Sequence, residues 1–170
     1  MNLGRRRITN EELTAAFEAL GFQQVRTFRA SGNVAFEARS EPADGLVAHI
    51  EGGLAKALGY AVPTFLRSAE EVRAIAAFEP FLAATIEECA GKLQVGLLAR
   101  EPGPDAREQV LGHSDEHDRL AINARELYWL PEGPMSDSEL DLKTIERALG
   151  PMTLRTMGTI EQMAGKHFSD

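Results

Sequence analysis

The chain has 170 residues, 44% of them hydrophobic and 26% charged, and a formal net charge of −8. That is enough chain for one good core or two small ones, and the acidity argues against a nucleic-acid or anionic-membrane binder, since either needs a basic face. A single cysteine, Cys89, excludes an internal disulfide and any multi-cysteine metal site. The polar, basic N-terminus does not read as a signal peptide and no stretch approaches span length, so the expected address is the cytoplasm.

Thr9-Asn10-Glu11-Glu12 reads as a capping box, with Leu13, Ala16, Phe17 and Leu20 at helical spacing until Gly21. Val25 to Ala30 and Val34 to Ala38 read as strands joined by Ser31-Gly32-Asn33, a hairpin signal. Pro42 opens a helix with Val47, Ile50, Leu54 and Leu58 on one side, and residues 61–66 follow as a strand whose Pro63 suits an edge. Ser68-Ala69-Glu70-Glu71 caps a helix to about Ala77, which Phe78-Glu79-Pro80-Phe81 breaks before a second helical stretch running toward Cys89. Lys92 to Ala99 alternates as a strand and Pro104 to about Leu111 is a helix, followed by strands at 119–123 and 127–130. A helix capped near Ser136 carries Leu142, Ile145 and Leu149, and a short strand at 152–154 and a closing helix complete the series.

The chain says nearly the same thing twice. Leu58-Gly59 precedes Leu66-Arg67-Ser68, and Leu149-Gly150 precedes Leu154-Arg155-Thr156. Each copy is a helix stopped by glycine, a short strand ending Leu-Arg-Ser/Thr and a new helix capped by that hydroxyl. The expected fold is therefore α+β: tandem duplicated ferredoxin-like (βαββαβ) halves at 1–67 and 92–170, joined by a helical connector at 68–91. The first half lacks its opening strand, because Met1-Asn2-Leu3-Gly4 stands where that strand would be ending. This predicts a start codon upstream or a gap in the first sheet.

Asn2-Leu3-Gly4-Arg5, Leu20-Gly21-Phe22, Val25-Arg26-Thr27-Phe28 and Ser31-Gly32-Asn33-Val34 resemble the N-terminal signature of the bacterial domain of unknown function 1697 family. The resemblance continues through Val62-Pro63, Pro80-Phe81, Tyr128-Trp129-Leu130-Pro131 and Leu149-Gly150 to Leu154-Arg155. It implies a fold and no chemistry. Where the family carries Asn-Trp-Asn-Thr after that arginine, this chain has Thr156-Met157-Gly158-Thr159 and keeps only Arg155 and Thr159.

No Walker loop, dinucleotide fingerprint or nucleophile elbow is present, so no cofactor is expected. His113 and His117, four apart among Asp115, Glu116 and Asp118, would suit a metal on a helix, but Gly112 and the following strand make the segment a solvated loop. Glu87 and Glu88 disfavour a thiolate at Cys89, which reads as a small packed residue. Tyr128 and Trp129 are adjacent on a strand and face opposite sides, one of them into the core. An RNA-recognition sheet needs exposed aromatics, and only Phe28 and Phe36 lie on the first hairpin.

Topology supplies the candidate site. A βαββαβ sheet puts the loop after its first strand, its central hairpin and the start of its last strand at one end. Asn2, Gly4, Arg5, Arg6 and Arg7 then converge on Ser31, Gly32, Asn33 and the helix start at Thr9. Backbone N–H groups, a hydroxyl, an amide and guanidinium groups together suit an anion. The same Ser31-Gly32-Asn33 is also the composition of a plain tight turn in which Gly32 supplies a positive φ. The expectation is a non-catalytic domain that binds an anionic small molecule or partner, without nucleic acid or membrane. The alternative is a small hydrolase or transferase acting on a phosphate- or carboxylate-bearing substrate, against which stands the absence of a general base beside that end.

Overall fold

Hydroxyl side chains at Thr9 and Ser68 and positive-φ glycines at Gly59 and Gly150 mark several helix boundaries in this protein. The structure, a computed structural model, describes residues 2–3, 6–28, 32–38 and 42–167. The chain divides between Leu66 and Arg67 into two units.

In the first unit, β1 (Asn2–Leu3) pairs antiparallel with β2 (Arg6–Arg7), so that Asn2 stands opposite Arg7 and Leu3 opposite Arg6. Helix α1 (Asn10–Ala19) opens on a complete capping box. Thr9 Oγ1 accepts the Glu12 N–H at 3.1 Å, and Glu12 Oε2 accepts the Thr9 N–H at 2.8 Å. Strands β3 (Gln23–Phe28) and β4 (Asn33–Glu37) form the expected hairpin, and α2 (Ala43–Leu58) stops at Gly59 with φ +75°. Ile8, Leu13, Phe17, Phe22, Ile50, Leu54 and Val62 form the core. The Phe22 and Phe36 rings lie 4.5 Å apart and Phe17 joins them at 5.7 and 5.3 Å, so Phe36 is spent on packing.

Residues 61–66 do not form the expected strand. Pro63 has no N–H to give a ladder, and the Thr64 N–H goes to Glu51 Oε1 on α2 at 2.8 Å instead. The segment is held by that bond and by Val62 in the core. Among the described residues, β1–β2 and β3–β4 remain separate two-stranded sheets.

The second unit contains α3 (Ala69–Ala77), α4 (Ala83–Glu88), β5 (Gln94–Leu98), α5 (Pro104–Leu111), β6 (Asp118–Asn123), β7 (Glu126–Pro131), α6 (Leu142–Leu149), β8 (Met152–Thr156) and α7 (Met157–His167). Its four strands lie in the order β6-β7-β5-β8, every neighbouring pair antiparallel. Both capping hydroxyls read from the sequence are in place: Ser68 Oγ accepts from Glu71 N–H at 3.1 Å, and Thr156 Oγ1 from Thr159 N–H at 3.3 Å.

The register sorts the two faces of this sheet. Leu120, Leu127 and Trp129 share one face and pack with Val110 of α5 and Ile145 of α6. Tyr128 pairs with Val95 and belongs to the other face, where the Phe78 ring at the end of α3 lies 4.9 Å from it and α3 packs against α7. Tyr128 and Trp129 are therefore both fully buried, because helices cover both faces. The helix expected from a cap near Ser136 begins later, at Leu142. Met135–Asp137 forms a single 3₁₀ turn, and Asp141 caps α6 by accepting the N–H groups of Lys143 at 3.0 Å and Thr144 at 3.3 Å. The result is a mixed α/β protein, with seven α-helices and antiparallel sheets among the described residues.

Candidate functional site

Of the residues expected to bind an anion, Gly4, Arg5 and Ser31 lie outside the described residues. Asn2 stands on β1 opposite Arg7. Gly32 has φ +74° and leads directly into Asn33, which opens β4 opposite Phe28. At the start of α1 the Glu12 carboxylate already occupies the Thr9 N–H, and the Thr9 hydroxyl takes the Glu12 N–H. His113 and His117 sit on either side of a turn held by Asp115, whose Oδ1 accepts the N–H groups of His117 at 2.9 Å and Asp118 at 2.7 Å. His117 Nδ1 lies 2.6 Å from Glu132 Oε2. That hydrogen bond, with the carboxylate's charge, lifts the imidazole above its ordinary value despite some desolvation. Among the described residues, no group of three or more His, Cys, Asp or Glu side chains is placed to hold a metal ion.

Two buried polar clusters in the second unit serve the fold. Arg67 gives Nε to Glu126 Oε1 at 2.8 Å and Nη2 to the carbonyls of Leu98 and Arg125 at 2.9 and 3.1 Å. Both side chains of that ion pair are nearly inaccessible. Arg125 in turn pairs with Glu71 at 2.5 Å. Burial works against ionisation of Glu71, but the Ser68 N–H and the Arg125 guanidinium outweigh it and hold the carboxyl below its usual range. Tyr128 lies beside this cluster with its hydroxyl buried and without a hydrogen-bond partner among the described residues. Burial first, and the Glu126 charge second, push its pKa well up. On the other face, Asp118 accepts from Trp129 Nε1–H at 2.6 Å and from Ser138 Oγ–H at 2.8 Å.

One open cleft, about 510 Å³ in volume, is formed within the second unit by Glu79, Pro80, Phe81, Leu82, Ala83, Thr85 and Arg119. Phe78-Glu79-Pro80-Phe81 ends α3 and lays a non-helical wall, while Arg119 enters from the start of β6. Leu82, the residue before α4, is 78% exposed and lies along the cleft's apolar wall. Arg119 gives its single side-chain hydrogen bond, from Nη1 to Cys89 Sγ at 3.6 Å, and is in no ion pair among the described residues. The cysteine that looked inert beside two glutamates thus has a guanidinium neighbour. Nothing in the sequence joins Arg119 to residues 79–85. The former reads as the first residue of a strand and the latter as a helix breaker.

These observations define the class: a small mixed α/β protein that keeps a cation with few partners in an apolar-walled cleft. The profile of the family described as "Protein of unknown function (DUF1697)" matches residues 1–128, and the chain belongs to that family. Among solved structures, the chain is similar to the conserved bacterial protein SP0830 from Streptococcus pneumoniae, at 18% identity and a TM-score of 0.75, over 98% of this chain and 94% of that one. The likeness shows a shared fold. No curated protein matches the chain. No helix among the described residues is long and apolar enough to cross a membrane.

Proposed function

We propose that this protein is a non-catalytic binding domain whose ligand is a small organic anion held by Arg119 in the cleft. The observation that carries this reading is the state of that guanidinium. It has five N–H donors, gives one long bond to sulfur, and lies among Phe81, Leu82 and Pro80. A guanidinium is suited to bidentate pairing with a carboxylate or phosphate, and the apolar wall would take the ligand's body. Cys89, the chain's single cysteine, provides the test. Phenylacetate should slow alkylation of Cys89 by neutral iodoacetamide, whereas phenylacetamide should not, and Arg119→Gln should abolish the protection. Equal protection by the amide, or protection that survives in Arg119→Gln, overturns the reading. Turnover of a phosphate or carboxylate ester in the same cleft would favour a hydrolase or transferase instead.

A second anion site at Asn2, Gly4, Arg5, Ser31, Gly32 and Asn33 rests on the topology of a βαββαβ sheet, the left-handed Gly32 being what the tight turn before Asn33 itself requires. It requires that, in an Arg119→Gln background, sulfate stabilise the protein more than chloride at matched ionic strength, with Arg5→Ala and Asn33→Ala each removing the effect. We also take the two units as ferredoxin-like halves of one duplication. Support comes from the β6-β7-β5-β8 order in the second unit and from the repeated glycine stop at Gly59 and Gly150. The acidic composition fits a cytoplasmic protein without a nucleic-acid partner.

A further inference from the structure

We infer that the ligand of this cleft is a small zwitterion with an apolar body, an apolar α-amino acid being its simplest member. This rests on the reading of Arg119 as the anchor of an anion and adds a second anchor. Glu79 lines the same cleft, is exposed, and is in no ion pair among the described residues, with Arg119 or with any other cation. A cleft that holds one unneutralised carboxylate and one guanidinium with few partners is balanced in charge. A simple anion entering it gains Arg119 and meets repulsion from Glu79, and a simple cation meets the reverse. A zwitterion satisfies both, its carboxylate on Arg119 and its ammonium on Glu79. Glu79 directly follows Phe78, the C-terminal cap of α3, and that end of a helix favours a positive charge. Phe81, Leu82 and Pro80 leave the apolar body a surface to cover, and Thr85 adds a hydroxyl. The volume of about 510 Å³ falls in the range of small-molecule sites, roughly 300–1,000 Å³.

The test uses three probes that share one ring: L-phenylalanine, phenylacetate and phenethylamine, each titrated at pH 7 against the full chain, with Cys89 alkylation and calorimetry as readouts. The expected order is L-phenylalanine, then phenylacetate, then phenethylamine. Because both anchors are solvent-accessible, the advantage of the zwitterion over the anion should be about two- to fivefold. Glu79→Gln, at an exposed position, should erase that advantage and leave phenylacetate binding at least as tight as before. Arg119→Gln should weaken both ligands, with Arg119→Lys retaining part of the binding, and Trp129 fluorescence should report an unchanged melt. Phenylacetate binding as tightly as L-phenylalanine, with both sensitive to Arg119, overturns the zwitterion while the anion site stands. If none of the probes binds in an Arg119-dependent way, both readings fall.

Discussion

Replacing Arg67 by methionine should be among the most damaging single changes in the second unit. The side chain is 4% exposed and that of Glu126 7%, so the substitution leaves a carboxylate in the interior without its cation. Breaking one side of a buried pair in this way costs about 3–5 kcal/mol. The carbonyls of Leu98 and Arg125 lose a donor each, at about 1 kcal/mol apiece where water cannot replace it, which places the expected loss toward the upper end. For a chain of this length, each kcal/mol lowers Tm by about 2–4 °C, so the melt should fall by roughly 6–20 °C. Urea unfolding followed by the fluorescence of Trp129 is the suitable assay. It is the chain's only tryptophan, it is buried, and it shares β7 with Glu126. The double variant Arg67→Met/Glu126→Leu should recover most of the loss, because it removes the stranded charge as well. A single-variant loss below about 1 kcal/mol, or a double variant no better than the single, would show that the penalty does not come from an unpaired Glu126.

Gly91→Ala should cost about 1–3 kcal/mol in the same urea assay, since the added Cβ would stand 2.0 Å from the Pro131 carbonyl oxygen and 2.5 Å from that of Gly133, and backbone cannot step aside. Gly53→Ala should cost less, because the atoms nearest its Cβ are the flexible end of Leu20, and a reversed order would refute the steric account. His117 should titrate above its ordinary value of 6.5 in the folded protein, held there by the hydrogen bond its Nδ1–H gives to the Glu132 carboxylate. Its stabilising contribution is then full below the unfolded value and is lost as pH rises through the folded one. An NMR titration should show Glu132→Gln returning the imidazole toward 6.5, and no downward movement would sink the assignment.

What could be read from the sequence is what acts within one turn of chain. Thr9 with Glu12 and Ser68 with Glu71 satisfy each other three residues apart, so the chemistry of both helix starts is present in the residue order. Gly59 and Gly150 likewise stop their helices through their own backbone freedom. Residues 61–66 failed as a strand because the competing acceptor, Glu51, lies thirteen residues back on α2. The Ser136 cap failed for a similar reason. Ser138, two residues on, hydrogen-bonds to Asp118, twenty residues back, and Asp141 takes over the capping. The double burial of Tyr128 and Trp129 depends on helices covering both faces of the sheet, and strand alternation alone cannot report that.

The arginines show why the candidate site was the least legible part of the molecule. Arg67 and Arg155 occupy the same place in the repeated Leu-Arg-Ser/Thr motif, and the local motif does its work in both copies by capping the next helix. Their charged ends differ. Arg67 meets a carboxylate in the core, whereas Arg155 gives Nη1 to Thr153 Oγ1 and the Leu154 carbonyl, and its burial pulls its pKa down. A conspicuous motif therefore identified cations that the fold consumes. Arg119 belongs to no repeat and to no capping signal, and its guanidinium keeps donors to spare because it forms no ion pair among the described residues. Binding requires the donors that folding has left unused. The residue best placed to recognise a ligand is thus one whose partners folding does not supply, and sequence patterns, which record folding, pass over it.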